Sequence, residues 1–183
     1  MLNKVWYNFS MRLFTLILTL LFVSSVPASA VNLERLYQGR SQAQEGRKDF
    51  AMMEFHAFLR NSSEEPYAGE AHFALAEYYY GINNPAESRK HLAAVGGRDA
   101  VMNLLASVYR LKMAEADSNA EETTRLSEEL KSSLASKKTV IFSNKKRARK
   151  WTSPMGYHYQ FKESVDRMEI LRDGSPFYEV TLP

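Results

Sequence analysis

The chain has 183 residues, 24 Lys+Arg against 21 Asp+Glu, a formal net charge of +3 and no cysteine. That length allows one or two small domains with a real core. The absence of cysteine excludes a disulfide staple, a thiol nucleophile and a thiolate metal site, so the fold must rest on ordinary packing.

The N-terminus reads as a secretory signal peptide over residues 1–30. Lys4 and Arg12 are basic and no acidic residue accompanies them; an apolar run from Leu13 to Val23 follows, and Ala28-Ser29-Ala30 has the small-x-small form of a cleavage site. The apolar run is short for a transmembrane helix, which needs roughly 20 residues. An uncleaved anchor is the alternative. No cysteine follows the run, which excludes a lipid-anchored lipoprotein. Met1 and Met11 are both candidate starts. The expected location is the periplasm or the medium, and a disulfide-free exported chain fits a bacterial cell envelope.

Two segments of opposite charge follow. Residues 31–136 carry 12 Lys+Arg and 16 Asp+Glu; residues 137–183 carry 10 and 5. The sign change places a boundary near residue 137. The first segment is helical in period, with turn signals at Gly46, Asn61 to Pro66, Asn83-Asn84-Pro85, Gly96-Gly97 and Asp117 to Asn119. The spacing predicts six helices in three antiparallel pairs. Asn84 before Pro85, with Glu87 three residues on, is an N-cap signature, and Ser118 with Glu121 has the same spacing. Gly46 and Gly96 stand where a left-handed residue would end a helix.

An internal similarity runs through these helices. Gly39, Ala51, Phe55 and Phe58 return 37 residues later as Ala76, Ser88, Leu92 and Val95; Leu75-Ala76 with Tyr79 returns after 30 more as Leu105-Ala106 with Tyr109. This pattern resembles the tetratricopeptide repeat over residues 31–136. In the third copy only the first helix matches, because Met113 to Asn119 is read as a lengthened turn. The resemblance implies an α-solenoid of stacked helix pairs whose cores merge, with Tyr79, Leu92, Tyr109, Leu126 and Leu130 filling the space between. It also implies a peptide-binding inner face formed by the first helix of each pair. Carried across, that face consists of Arg40, Gln44, Glu77, Tyr80, Asn103 and Arg110; the alternative is that three repeats are too few for a deep groove and that these residues face solvent or the β segment.

After residue 137 the period changes to alternation. Thr139 to Phe142, Tyr157 to Phe161, Met168 with Ile170, and Tyr178 to Leu182 read as strands with one wet face. For the turn at Arg172 to Ser175 we expect a three-residue loop. It would set Met168 opposite Tyr178 and Arg167 opposite Glu179, keeping the faces consistent. So small a meander is marginal alone and should pack on the last helical pair. The expected class is α+β: three helix pairs, then a small antiparallel meander.

No Gly-rich phosphate loop, G-x-S-x-G or H-E-x-x-H is present. His56, His72, His91 and His158 lack metal-ligand spacing and read as surface residues, so neither a metal nor another cofactor is expected, and the chain reads as a non-enzyme. The strongest local feature is Lys145, Lys146, Arg147, Arg149, Lys150 and Trp151, five cations beside an indole. It reads either as a lysine-protected edge strand or solvated loop, or as a site for an anionic envelope polymer or membrane surface. An exported chain has no use for it as a nuclear signal or for sequence-specific nucleic-acid binding. The leading expectation is an exported scaffold binding a protein or peptide partner on the inner face; the alternative is the anionic surface.

Overall fold

The computed structural model describes residues 28–62, 67–97, 99–141 and 149–182. Six helices come first: α1 (Ala28–Gln44), α2 (Lys48–Ser62), α3 (Ala68–Gly81), α4 (Pro85–Ala93), α5 (Ala100–Ala116) and α6 (Ala120–Ile141). A four-stranded antiparallel sheet follows in chain order: β1 (Arg149–Thr152), β2 (His158–Glu163), β3 (Arg167–Arg172) and β4 (Ser175–Thr181). The class is α+β. Residues 1–27 of the proposed signal peptide lie outside the described residues, and Ala28-Ser29-Ala30 opens α1. No described helix is long and apolar enough to cross a membrane.

Helices pack in sequence as α1 on α2, α3 on α4 and α5 on α6, with α2 also against α3. Each pair is joined by a three-residue turn, and the three turns share one conformation. The middle residue is left-handed each time: Gly46 at φ 79°, Asn83 at 58° and Ser118 at 56°. The hydrogen bonds repeat as well. Arg47, Asn84 and Asn119 each donate a backbone N–H to the carbonyl five residues back, on Gln42, Tyr79 and Ala114. This 6→1 bond closes a helix C-terminus whose last carbonyls would otherwise lack donors.

The turns correct two expectations. Gly96 has no left-handed φ; Gly97 does, at 128°. The cap of α6 is Asn119, whose side chain accepts from Glu122 N–H at 3.1 Å, because Ser118 is taken up in the left-handed position. The cap of α4 is as expected: Asn84 accepts from Glu87 N–H at 3.3 Å with Pro85 first in the helix. The residues from Met113 belong to α5, which runs to Ala116, so the third turn is no longer than the others. Gly39 and Ala76 therefore stand five residues before their helix ends and Ala106 stands ten before, so Ala106 is not in the same place as the other two.

Small residues do sit where helices touch. A Cβ on Gly39 would lie 3.0 Å from the Phe55 ring. The Ser88 hydroxyl donates to the Ala76 carbonyl at 3.0 Å. Phe55, Phe58, Leu75, Leu92, Leu105 and Tyr109 are all fully enclosed. The expected strand at Thr139 to Phe142 is instead helical through Ile141, and Phe142 lies outside the described residues. Leu126, Leu130 and Leu134 form a buried stripe at helical spacing, and the helix they anchor continues to Ile141 despite the β-branched residues there. The helical region thus extends beyond the boundary that charge suggested.

Within the sheet, Asp173 and Gly174 are both left-handed, at φ 51° and 81°, and make a two-residue turn. The expected three-residue loop is absent. An irregularity between Ile170 and Leu171 restores the phase, pairing Ile170 with Tyr178 and Met168 with Val180. The expected opposition of Met168 to Tyr178 and of Arg167 to Glu179 is thereby shifted: Arg167 faces Thr181 and reaches Glu179 diagonally at 3.6 Å. Bulges of this kind keep apolar faces aligned when a turn alone would not. Tyr159, Phe161, Met168, Ile170, Phe177, Val180 and Leu182 form the buried face, in one cluster with Phe73, Ala76, Leu105 and Tyr109. The sheet is therefore not confined to the last pair. It meets α3 and α5, and its β1–β2 turn reaches α1, where Met155 packs with Leu36 and Ala43.

One close approach holds the segment after α4 against the start of α3. A Cβ on Gly69, in the first turn of α3, would meet the Gly96 carbonyl oxygen at 1.9 Å. Alanine normally favours a helix by about 1 kcal/mol over glycine. Here backbone meets backbone, and Gly69→Ala is expected to destabilise by about 2–3 kcal/mol in chemical denaturation. Gly96→Ala, with nothing within 4 Å of its Cβ, should stay within about 1 kcal/mol of wild type.

Candidate functional site

The first helices of the pairs do not present an open face. Glu77 on α3 is 0% exposed, and Tyr159 from β2 donates to its Oε1 at 2.6 Å. The Tyr109 and Tyr159 hydroxyls are 2.7 Å apart, and Arg172 Nη1 donates to the Tyr109 oxygen at 2.9 Å. Since Tyr159 spends its proton on Glu77, the chain runs in one direction: Arg172 to Tyr109 to Tyr159 to Glu77. Tyr80 packs edge-on against Tyr109, with ring centroids 4.9 Å apart, and Phe177 of β4 lies 5.0 Å from Tyr109. Farther along α5, Lys112 Nζ donates to the Phe177 carbonyl at 2.8 Å and Tyr178 donates to Glu115 at 2.6 Å.

Burial dominates the electrostatics of this junction. It pushes the Glu77 carboxyl from 4.5 up to about 8, against the hydrogen bond from Tyr159 and the nearby charges of Arg172 and Lys48. Glu77 is therefore mainly neutral at pH 7, with Oε2 enclosed and without a partner. Burial likewise raises the Tyr109 and Tyr159 hydroxyls, with Glu77 adding to the effect. Burial alone would lower Arg172, and the tyrosines around it reverse the sign.

At the margin of the covered face a cleft of about 750 Å³ stays open. Arg40 and Gln44 approach it from α1, Tyr67 and Glu70 from the start of α3, Asp99 and Met102 from the start of α5, and residues 151–154 from the edge of the sheet. Arg40 holds Glu70 in a two-pronged ion pair. Asp99 caps α5 by accepting from the N–H groups of Val101 and Met102, and its second oxygen accepts from Trp151 Nε1 at 3.2 Å. Both carboxylates are thus engaged in holding the walls. Tyr67, 43% exposed, supplies aromatic surface, and the half-buried Trp151 lies across from it in the lining. A mixed, open, walled site of this size suits a ligand that presents both backbone and side chains.

Of the six inner-face residues, the structure brings Arg40 and Gln44 to this cleft and encloses Glu77 under the sheet, out of a partner's reach. Tyr80 is half-buried against Phe177. Asn103 donates to the Gly97 carbonyl at 3.0 Å. Arg110 donates to the Leu92 carbonyl and lines a separate cavity of about 270 Å³ among α4, α5 and α6. The six do not form one surface, because a sheet of the same chain occupies the middle of it. Of the basic run, Lys145, Lys146 and Arg147 lie outside the described residues; Arg149 and Lys150 are exposed on β1, and Trp151 turns inward toward Phe73 and Tyr159. Tyr67, Glu70 and Met102 carried no signal in the sequence. Asp99, a capping residue before the apolar run of α5, did.

The histidines also depart from expectation. His56 (α2), His72 (α3) and His91 (α4) gather: His72 Nδ1 and His91 Nδ1 are 2.9 Å apart, His56 Nε2 is 2.9 Å from the Tyr79 hydroxyl, and His91 stacks on the Tyr79 ring at 5.6 Å. His91 is buried with Nε2 unpartnered. Burial, then His72 and His56, lower His91 from 6.5 to about 4, and burial lowers the other two. Among the described residues no group of three or more His, Asp or Glu side chains is placed to hold a metal ion. His158 is exposed, with Nδ1 3.1 Å from Thr152 Oγ1.

Comparison with protein-family models, with curated proteins and with solved structures finds no match to this chain.

The two buried sites give stability two opposing limbs with pH. Glu77, raised in the fold, contributes stability that is full below about 4.5 and is lost as pH rises toward 8; the loss is on the order of a few kcal/mol. His91, depressed in the fold, contributes stability present above 6.5 and lost as pH falls toward 4. Denaturant midpoints measured from pH 4 to 9 should show both limbs. Glu77→Gln should flatten the alkaline limb alone, and His91→Asn the acid limb alone. An unchanged slope in both variants would remove the assignment.

Proposed function

We propose that the protein is an exported, non-enzymatic interaction protein. In this reading, tetratricopeptide-like helix pairs are sealed over much of their inner face by the chain's own sheet, and a partner protein is received in the cleft that remains. The observation that carries it is the cleft of about 750 Å³, walled by three helices and a strand edge whose carboxylates are already engaged. The recurring three-residue turns and the small residues at Gly39 and Ala76 support the repeat. The apolar run and small-x-small triplet of residues 13–30 support export.

A photo-crosslinking amino acid placed at Tyr67, inside the cleft, should yield a discrete adduct in cells of the source organism. The same group at Glu121, exposed on α6, should not. Matching adducts from both positions, or none from Tyr67, would remove the cleft as a partner site.

A second reading has its own observation: Arg149 and Lys150 are both exposed at the start of β1. Binding of an anionic polymer there would release counterions and weaken steeply with salt. Co-sedimentation with anionic vesicles that is the same at about 50 and about 500 mM salt would dismiss it.

A further inference from the structure

We propose that the His72–His91 contact is an acid-sensitive latch on the cleft: when both imidazoles carry a proton on each nitrogen, the start of α3 and the end of α4 separate and the cleft loses its shape. The inference takes the cleft as the partner site and adds how that site is released.

The latch lies about one helical turn from the cleft. Gly69 and His72 stand three residues apart, on one face of α3. Gly69 lies against the Gly96 backbone, and His72 meets His91 near the end of α4, shortly before Gly96. Tyr67 and Glu70, on either side of Gly69, line the cleft, and so do Gly96 and Gly97. A change in spacing at the imidazole pair is therefore carried by two short stretches of backbone into two parts of the cleft wall.

The contact itself is sensitive to protons. The two Nδ1 atoms are 2.9 Å apart. At that distance one ring must offer an N–H and the other a lone pair. One added proton leaves this arrangement intact, because one Nδ1 still keeps its lone pair. A second sets N–H against N–H and places two positive charges in contact. His91 is buried with Nε2 enclosed and unpartnered, so an imidazolium there also carries an unanswered N–H. His72 is only half-buried, so solvent protons reach the pair.

The surrounding groups do not cancel this effect. They are His56 and Arg60 on α2, Tyr79 on α3, and Glu87 and Lys90 on α4; Glu70, two residues before His72, is held by Arg40. Burial acts first on both rings of the pair and opposes their charge, and the neighbouring imidazoles add to it. Glu87 pulls the other way but is engaged with Lys90 at 3.3 Å. Both imidazoles are depressed in the fold, so the closed contact is favoured above 6.5 and is lost as pH falls toward about 4.

Hydrogen exchange of the full chain, resolved by peptide and corrected for intrinsic rates, tests the latch at about pH 7 and about pH 4.5. On acidification, residues 67–73 and 91–97 should lose about tenfold more protection than β2 and β3. His72→Gln should abolish that excess, because its amide oxygen can accept from His91 at either pH. His56→Gln should retain it. Equal loss in the helices and the sheet overturns the latch, as does an excess that survives in His72→Gln or disappears in His56→Gln. Should the variants not fold, the wild-type comparison decides. Crosslinking from Tyr67 should fall at the acid pH in wild type and persist in His72→Gln. Capture that is equal at both pH values while the helices open overturns release. Absence of capture at either pH removes the cleft as the partner site, and the exchange measurement then judges the latch alone.

Discussion

The fold depends on a directed row of hydrogen bonds between helix and sheet: Arg172 to Tyr109, Tyr109 to Tyr159, Tyr159 to Glu77. A carboxyl group that is wholly enclosed is expensive unless it is neutral and hydrogen-bonded. Neutrality is secured by burial itself and the hydrogen bond by a tyrosine 82 residues away. Each member fixes the proton of the next, so the sheet cannot slide along α3 and α5 without breaking several bonds at once. The aromatic rings of Tyr80, Phe177 and Trp151 pack around the row.

That arrangement also determines what is left for binding. An inner face built from the first helices of stacked pairs would present Glu77 and Tyr80 at its centre. Here the centre is filled by β2 and β4, and only the margin between α1, the starts of α3 and α5, and β1 remains accessible. The site is consequently composite, made of helix termini on one side and a strand edge on the other. Helical pairs lacking a sheet have no such edge to offer.

Much of the helical architecture was legible. Apolar periodicity found the pairs, Asn84-Pro85 found one cap, and Gly39, Ala76 and Ser88 marked real contacts. The third pair was misaligned because Ala106 resembles Ala76 locally while α5 runs three residues longer than α3, so the recurring feature is the turn and not the small residue. Asn83 and Ser118 hold left-handed positions that glycine would have advertised; polar residues in that conformation are hard to read from sequence. The alternation in β2, β3 and β4 was legible, but the bulge after Ile170 was invisible, since a two-residue turn plus one irregular step resembles a longer loop. Docking of the sheet was the least legible, because nothing in the tyrosines of β2 announces a carboxyl group partner on α3. The histidines were missed for the same reason: His56, His72 and His91 are far apart in sequence and meet only through the packing of three helices.

The order of the elements along the chain gives the junction a temporal meaning. Synthesis delivers the six helices before the sheet that covers them. Until Tyr159 and the strands after it emerge, Glu77 faces water, where it ionises as an ordinary carboxylate, and Tyr80 and Tyr109 stand uncovered. The nascent protein thus passes through a stage in which its inner face is charged and open, and arrival of the final strands is coupled to uptake of a proton. Chain completion, in this molecule, is an acid–base event.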